Sequence, residues 1–292
     1  MKKLFFAIIL FLPVLVFGQK HTETITKELQ FSKQSNDNHL TLYNINGSID
    51  VEGYSGSTIQ IEVEKTISAK SQNRLEEGKK EIQVAVEEEG SEILVYMDSP
   101  CTELKLKLGE NGKHYWQTQS NNCRWDSKYH FNLDYKVKIP HNLNITLSTI
   151  NHGDIKINNV KGDVKVNNIN GSITLTKMEG AVDAHTINGS LDVEYTKNPT
   201  KDSRYYSLNG DINAHYKSGL EAQLSFESFN GDFYTNIEDI KMLPTNMKKT
   251  KNKDKEKGIK YKIGGKSKMQ IRNGKTHLDF ETFNGNAYIK EF

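Results

Sequence analysis

Five glycines in this chain recur at a spacing of nine residues. They are Gly153, Gly162, Gly171, Gly180 and Gly189, and each opens a short phrase in which polar and apolar residues alternate. A fixed period this short indicates a fold that is built by stacking copies of one unit. It predicts a long, ordered surface, because every copy presents equivalent positions at the same spacing.

Each nine-residue unit predicts one β-strand with a single buried face. Ile155 and Ile157 flank Lys156, and this alternation at period two is typical of such a strand. Alternate corners carry asparagine before the glycine, so the full repeat is a coil of 18–21 residues with two strands and two corners. We therefore expect an all-β chain, a single-domain β-solenoid like a parallel β-helix, with a helix and hairpin insertion. The glycines predicted at its corners are Gly47, Gly153, Gly162, Gly171, Gly180, Gly189, Gly210, Gly231 and Gly285.

Asparagine–glycine pairs suit sharp corners, because glycine readily adopts the positive φ that such corners require. In stacked corners the asparagine amides would lie in register and hydrogen-bond along the stack. The same pair also occurs in two-residue hairpins, so an antiparallel β meander or sandwich is the alternative fold. The solenoid is favoured because the phrase recurs in one direction at near-constant spacing.

The N-terminal segment predicts a secretory signal peptide. Two lysines precede an apolar run from Leu4 to Phe17, which is shorter than the roughly 20 residues of a membrane-spanning helix. Val16 and Gly18 are small enough for a cleavage site before Gln19, and a retained membrane anchor is the alternative. The mature chain would then reach the periplasm, the outer surface or the medium, and no later segment is apolar enough to span a bilayer.

The repeat is interrupted twice, which sets the expected organisation of a single domain. The inserted segment predicts a short helix over 68–80 and a hairpin over 82–97. The expected parts are the signal peptide (1–18) and a solenoid domain (19–292) made of a first coil (40–63), the inserted segment (64–140), main coils (141–240), a basic loop (241–262) and a final coil (263–292).

The overall charge gives no basis for nucleic-acid binding. The net charge is +2 and the pI is about 8.2, so no strong field of one sign surrounds the protein. The lysine-rich stretch 248–262 predicts either a solvated loop or a contact with anionic lipid headgroups.

The chain has two cysteines, Cys101 and Cys123. An exported chain meets an oxidising compartment, so we predict a disulfide between them, with two free thiols or a metal role as alternatives. The bond would close a loop of about 22 residues and stabilise the fold by about 3 kcal/mol in the chain-entropy model. Zinc would need paired Cys/His spacing, which the nearest histidines, His114 and His130, do not provide.

Four aromatic residues lie in or beside the polar insert around the cysteines. They are Tyr115, Trp116, Trp125 and Tyr129. Exposed aromatic rings stack on sugars or anchor protein partners, so these residues form the predicted partner-binding site. A small satellite core beside the disulfide is the alternative interpretation.

Glycine–aspartate turns could suggest calcium, as in calcium-binding nonapeptide repeats. Those repeats need additional glycines so that backbone carbonyls converge on the ion, whereas each unit here has one glycine. We interpret the aspartates as polar turn residues and predict no metal and no cofactor. The turn aspartates are Asp154, Asp163, Asp211 and Asp232.

Parallel β-helices also include enzymes that cleave polysaccharides, whose sites need clustered carboxylates. Asp183 and Asp192 lie one unit apart, so they should fall on opposite sides of a two-strand coil. His185 and His215 should likewise face different sides, and His152 is a scattered surface residue. The pattern therefore predicts that the protein is not an enzyme.

Several segments resemble a known family. Val137 to Pro140, Leu143 to Thr149 and Ile150 to Ile155 together look like the bacterial putative-adhesin family of β-strand-repeat proteins, also known as a domain of unknown function. Ile45 to Ile49 and the final Phe-Asn-Gly coil are similar to it too. The resemblance implies an exported, envelope-associated β-solenoid without catalytic residues or cofactor.

The expected function is that of an adhesin-like binding or structural module of the cell envelope. Its partner would be a glycan, a protein or an anionic lipid. An envelope-stress or regulatory component is the alternative, and a glycan-active β-helix enzyme is a less favoured one.

Overall fold

The computed structural model describes residues 18–108, 114–120, 128–243, 248–254, 258–264 and 267–292. Residues 1–17 of the predicted signal peptide lie outside this part of the chain. Most of the described residues lie in strands and only ten lie in a helix, which confirms the all-β class. Among the described residues, no helix is both long and apolar enough to span a membrane.

The described elements are one helix, α1 (Gln72–Glu81), and twenty-five strands. In chain order the strands are β1 (Gln19–Leu29), β2 (His39–Tyr43), β3 (Ile49–Tyr54), β4 (Ile59–Ala69), β5 (Gln83–Glu89), β6 (Glu92–Asp98), β7 (Thr102–Leu108), β8 (His114–Ser120), β9 (Tyr129–Pro140), β10 (Asn144–Thr149), β11 (Ile155–Asn158), β12 (Val164–Asn170), β13 (Ile173–Met178), β14 (Val182–Asn188), β15 (Leu191–Tyr195), β16 (Ser203–Asn209), β17 (Ile212–Tyr216), β18 (Ala222–Asn230), β19 (Phe233–Thr235), β20 (Ile240–Leu243), β21 (Lys248–Asp254), β22 (Gly258–Gly264), β23 (Ser267–Ile271), β24 (Thr276–Asn284) and β25 (Ala287–Glu291).

Most strands belong to two large mixed sheets. The first sheet has the order β1-β4-β9-β3-β11-β13-β15-β17-β25-β19, and the second has the order β20-β23-β18-β24-β16-β14-β12-β10-β2-β6-β5. From β9 to β19 in the first sheet and from β18 to β6 in the second, neighbouring strands are parallel. Each sheet therefore contains a run of eight parallel strands, and antiparallel pairs extend one or both ends of each run.

Consecutive strands of the repeat alternate between the two sheets, so like residues stack one coil apart. Ile155 lies beside Ile173, and Ile173 lies beside Leu191 in the first sheet. Val164 lies beside Val182 in the second sheet. All five side chains are buried, and the inner faces of both sheets contribute to one hydrophobic core.

The longer, 21-residue coils are filled by tyrosines. Tyr195, Tyr205 and Tyr216 are fully buried, and the Tyr205 hydroxyl lies 2.8 Å from that of Tyr195 and 3.1 Å from that of Tyr216. Burial raises the pKa of all three hydroxyls well above the ordinary value. Because Tyr205 belongs to the second sheet and the other two to the first, these hydrogen bonds join the sheets across the core.

The final coil does not follow the others in space, although the sequence predicts an uninterrupted run up to residue 240. β24 lies between β16 and β18, and β25 lies between β17 and β19. An aromatic contact joins β24 to β16, because the ring of Phe280 stacks on that of Tyr205 with centroids 4.7 Å apart. Chain order and stacking order therefore differ at this end.

The inserted segment 64–140 builds the opposite end. The predicted helix is α1, and the predicted hairpin is the antiparallel pair β5–β6. β6 and β9 extend the parallel runs beside β2 and β3, while β1 and β4 add antiparallel strands outside β9.

A buried lysine fixes α1 against this end of the first sheet. The Lys65 ammonium is 1% exposed, lies 3.0 Å from the Glu23 carboxylate and donates to the carbonyl of Lys79 at 2.9 Å. Both partners are negative or partly negative, because the last carbonyls of a helix carry the negative end of its dipole. The alternation along β4 predicts that the side chain of Lys65 points inward, but it does not predict which groups would pair with its charge.

The basic loop contains the antiparallel hairpin β21–β22. The lysine side chains of the stretch 248–262 lie outside the described part of the structure, so both interpretations of this stretch stay predictions.

Candidate binding surface

The asparagine corners are joined by one continuous chain of side-chain hydrogen bonds. Asn170 donates to Asn151, and Asn188 donates to Asn170 at 2.9 Å, with the same contact repeated at every later rung. The predicted in-register asparagines are thereby confirmed, with Asn151 as an added member that the pattern misses because His152 separates it from Gly153. This asparagine ladder consists of Asn46, Asn151, Asn170, Asn188, Asn209, Asn284 and Asn230.

The corner glycines are required by crowding. A Cβ atom at Gly171 would overlap the carbonyl oxygen of Gly153, and one at Gly189 would overlap that of Gly171. Of the nine predicted corner glycines, only Gly47 has a positive φ, at 120°. The expectation that these corners depend on positive φ is therefore wrong, because the stacked backbones lie too close together for any side chain.

Small polar residues satisfy the glycine carbonyls from inside the corner. The Thr186 hydroxyl donates to the carbonyl of Gly171 at 2.9 Å, and that of Ser207 donates to the carbonyl of Gly189 at 2.9 Å. Both side chains are buried. In the sequence, each of these residues stands three positions before the glycine of its own coil. Sequence analysis missed them because it assigned only apolar residues to the buried positions.

The apolar residue before four of the seven ladder asparagines is exposed. Ile169, Ile187, Phe283 and Phe229 are 38%, 37%, 44% and 57% exposed, and the two phenylalanine rings stack with centroids 4.7 Å apart. The equivalent residue at the other corners is buried, as Met178 shows. The two corners of a coil therefore differ, because the ladder corner exposes its apolar side chain to solvent and the other corner buries it in the core.

The outer face of the first sheet carries a straight line of polar side chains, one from each parallel strand. Register pairing places these residues side by side across the eight strands. Neighbouring strands in a sheet lie about 4.8 Å apart, so equivalent groups repeat at that interval. This polar row consists of Lys136, Asp50, Lys156, Thr174, Asp192, Asn213, Tyr288 and Tyr234.

Hydrogen bonds between side chains link the polar groups of this face. Asn213 donates to the Asp192 carboxylate at 2.6 Å. Two residues further along the strands, Asn158 donates to Glu52 at 2.7 Å and accepts from Thr176 at 2.9 Å. The amide, carboxylate and hydroxyl groups are thus oriented before any ligand arrives, which lowers the entropy cost of binding.

One end of the polar row runs through an open groove of about 800 Å³. Charges of both signs alternate along it, and one ion pair joins Lys136 and Glu62 at 3.5 Å. The charged residues that line it are Lys27, Lys136, Lys138, Lys156, Glu28, Asp50, Glu52 and Glu62. Four cations thus balance four anions.

The other end of the polar row is aromatic. The rings of Tyr234 and Tyr288 stack at a centroid distance of 5.0 Å, and Tyr234 is 46% exposed. The Lys290 ammonium lies 5.9 Å from the Tyr288 ring. Sequence analysis missed this pair because the two tyrosines belong to coils 54 residues apart that become neighbours only through the insertion of β25.

The predicted aromatic site is not assembled by the described residues. Tyr129 is buried, with its hydroxyl donating to Glu81 at 2.6 Å, and burial raises its pKa. Tyr129 therefore packs in the core, and its prediction as a partner-binding residue is wrong. Tyr115 and Trp116 lie on β8, which pairs with β7, while their side chains and all of Trp125 lie outside the described part.

Cys101 is buried and is bonded in a disulfide. Its predicted partner, Cys123, lies outside the described residues.

Three of the four turn aspartates accept a hydrogen bond from a backbone N–H of the neighbouring coil. Asp154 accepts from the backbone N–H of Ser172 at 2.8 Å, and Asp211 accepts from that of Asn286 at 2.7 Å. Asp163 accepts from the N–H of Ala181 at 3.1 Å. Their carboxylates thus act as polar turn groups in the described structure.

The outward carboxylates and histidines are divided between the sheets, as the pattern predicts. Asp183 and His185 lie on β14 of the second sheet, whereas Asp192 and His215 lie on the first sheet. His185 contacts Asp183 at 2.7 Å, and this hydrogen bond lowers the pKa of the carboxyl. In the described residues, no three His, Cys, Asp or Glu side chains are grouped as a metal site would need.

These features define a mostly-β protein with two large mixed sheets, one of which has an open, polar outer face. No family model matches the chain, and no curated protein matches it. Two solved structures resemble it at 10% identity. One is a putative cell adhesion protein from Clostridium sporogenes ATCC 15579, with a TM-score of 0.47 over 93% of this chain and 100% of that chain. The other is a putative lipid binding protein from Parabacteroides distasonis ATCC 8503, with a TM-score of 0.29 over 92% of this chain and 96% of that chain. At these values neither structure identifies what this chain binds.

Proposed function

We propose that this chain is an exported β-solenoid of the cell envelope that serves as a non-catalytic, adhesin-like binding module for an extended, uncharged glycan. The observation that carries the proposal is the polar row, with its oriented amide, carboxylate and hydroxyl groups and its stacked tyrosines at one end. Sugars offer hydroxyls to such groups and apolar ring faces to aromatic side chains.

The charges of the groove favour an uncharged ligand. Because four lysines alternate with four carboxylates, no single sign of charge dominates. A surface that binds an anionic polymer or lipid would instead concentrate positive charge. An elongated ligand fits because equivalent groups continue beyond the groove as far as Tyr234.

The parallel runs support the solenoid. Eight strands in each sheet pair in parallel while the chain alternates between sheets, as a coil with two strands per turn requires. The separation of Asp183 from Asp192 onto different sheets supports a non-catalytic role. The resemblance of the sequence to the putative-adhesin family agrees with both.

Export is supported by two independent features. The N-terminal apolar run has the length of a signal peptide. Cys101 is bonded in a disulfide, and disulfides persist mainly in oxidising compartments such as the periplasm and the exterior.

The test is binding of the mature chain to uncharged polysaccharide fragments of increasing length, measured by isothermal titration. We expect affinity to rise with fragment length until the polar row is filled. Tyr288→Ala should weaken binding about three- to tenfold by removing a stacking ring, and Asn158→Ala should weaken it by loss of an oriented amide.

Matched substitutions on the second sheet serve as controls. Tyr206 and Asn167 are half-buried residues on that sheet's outer face. Tyr206→Ala and Asn167→Ala should leave the affinity unchanged. Equal losses from both faces, or no binding to any fragment, would contradict the proposal and leave a structural role.

A further inference from the structure

β1 is a long strand with one free edge. Its eleven residues pair in antiparallel fashion with β4, from Gln19 beside Ala69 to Leu29 beside Ile59. Within the described residues β1 ends the first sheet, so its outer backbone groups have no strand beside them. Such an edge is a template for pairing with another strand.

The exposed face of β1 is complementary to itself. Side chains at even positions are exposed, whereas Ile25 and Leu29 pack against the core. When two copies of β1 are aligned in opposite directions, a lysine lies opposite a glutamate at each end, and threonines lie opposite threonines between them. These residues are Lys20, Thr22, Thr24, Thr26 and Glu28.

We propose that two copies of this chain form a dimer by antiparallel pairing of their β1 strands, centred on Thr24. Lys20 then lies opposite Glu28 of the second copy, and the symmetry produces this contact twice. Opposite charges directly across an antiparallel pair are stabilising, and threonine pairs hydrogen-bond across strands. The two first sheets join into one continuous sheet.

The other three ends of the two large sheets do not offer this pairing. β19 and β20 have three and four residues. β5 ends in the exposed glutamates Glu87, Glu88 and Glu89, whose like charges discourage close approach of a second copy. Of the four end strands of the two large sheets, β1 alone combines length with self-complementary charge.

The dimer would bring the two grooves to the same side of the joined sheet. Thr26 and Glu28 line the groove beside the free edge, so the seam would lie between two such grooves. This arrangement does not depend on what the groove binds, and it is tested without any ligand.

The test is sedimentation equilibrium of the mature chain over a range of protein concentrations. The wild type should show a reversible monomer–dimer equilibrium that weakens with salt, because the contacts include ion pairs. Lys20→Glu or Glu28→Lys alone should raise the dimer dissociation constant about tenfold, since two attractive contacts become repulsive. The double variant Lys20→Glu/Glu28→Lys should restore dimer formation.

These substitutions are chosen to leave folding unaffected. Lys20 and Glu28 lie beside uncharged residues of β4, Ser68 and Gln60. Lys138→Glu, on the exposed face of β9, is the matched control and should not change the dissociation constant. A monomer at every concentration, or a double variant as weak as either single variant, would overturn the proposal.

Discussion

Asn284 donates a hydrogen bond of 2.9 Å to the side chain of Asn209, although 75 residues separate them along the chain. Asn230 then donates to Asn284 at 2.8 Å, so the last coil of the sequence is the second-last rung of the asparagine ladder. The last coil is therefore inserted between the rungs of Asn209 and Asn230, which follow one another in the sequence. This insertion also brings Tyr288 beside Tyr234.

Removing an interior rung of the asparagine ladder should cost more than removing its end. Asn209 both donates to Asn188 and accepts from Asn284, whereas Asn230 only donates. We expect Asn209→Ala to lower the free energy of unfolding by about 1–2 kcal/mol and Asn230→Ala by about half as much. Urea unfolding measures both, and equal costs would contradict a continuous ladder.

The corner glycines should be intolerant of any side chain. Gly189→Ala would push a Cβ into the carbonyl of Gly171, and we expect a loss of about 3 kcal/mol or more. Gly90→Ala is the control, because Gly90 has a positive φ of 62° but open space around it. That change should cost about 1–2 kcal/mol for backbone strain alone. If Gly90→Ala proved the more damaging, crowding would not explain the repeat.

The strands and the ladder corners were predictable from the sequence because they depend on local patterns. Alternation at period two identifies the strands, and the recurring Asn-Gly pair identifies the ladder corners. The inserted hairpin and α1 follow from equally local patterns. Asp183 and Asp192 were expected on different sheets because they lie one nine-residue unit apart, and consecutive units form strands on opposite sides of a coil.

Features that depend on distant contacts were not predictable. The spacing of 21 residues between Gly210 and Gly231 is compatible with direct stacking, yet Gly231 stacks on Gly285. The pairing of Tyr234 with Tyr288 depends on that insertion. The buried ammonium of Lys65 requires Glu23 and the end of α1, which only the tertiary fold brings together.

The buried tyrosine cluster should be most sensitive at its centre. Tyr205 shares its hydroxyl with both Tyr195 and Tyr216, so Tyr205→Phe breaks two buried hydrogen bonds. We expect a loss of about 2–3 kcal/mol in unfolding free energy, against about 1 kcal/mol for Tyr216→Phe. Calorimetric unfolding of both variants measures the difference, and a more damaging Tyr216→Phe would be inconsistent with this geometry.

The end of the chain should confer acid-dependent stability. Arg272 binds the Glu291 carboxylate at 2.6 and 2.9 Å, and this contact lowers the pKa of Glu291 below its ordinary 4.5. The contribution is fully present above pH 4.5 and is lost as the pH falls through the lowered pKa of the folded state.

Glu291→Gln should therefore reduce stability at neutral pH by about 1–2 kcal/mol and flatten its decline in acid. Unfolding free energies measured from neutral to acid pH provide the test. Glu227→Gln, at an exposed position on β18, is the control and should change stability by less than about 0.5 kcal/mol. An unchanged acid profile in Glu291→Gln would show that another group is responsible.

Disulfide trapping tests the parallel stack and its unusual order most directly. Adjacent strands lie about 4.8 Å apart, within the Cα separation that a disulfide spans, whereas rungs two apart are too distant. Cysteine pairs at positions 209 and 284, and at 230 and 284, should therefore oxidise to a cross-link that peptide mapping locates. A pair at 209 and 230 should stay reduced, and a ready cross-link there without one at 209 and 284 would contradict the insertion of the last coil between these two rungs.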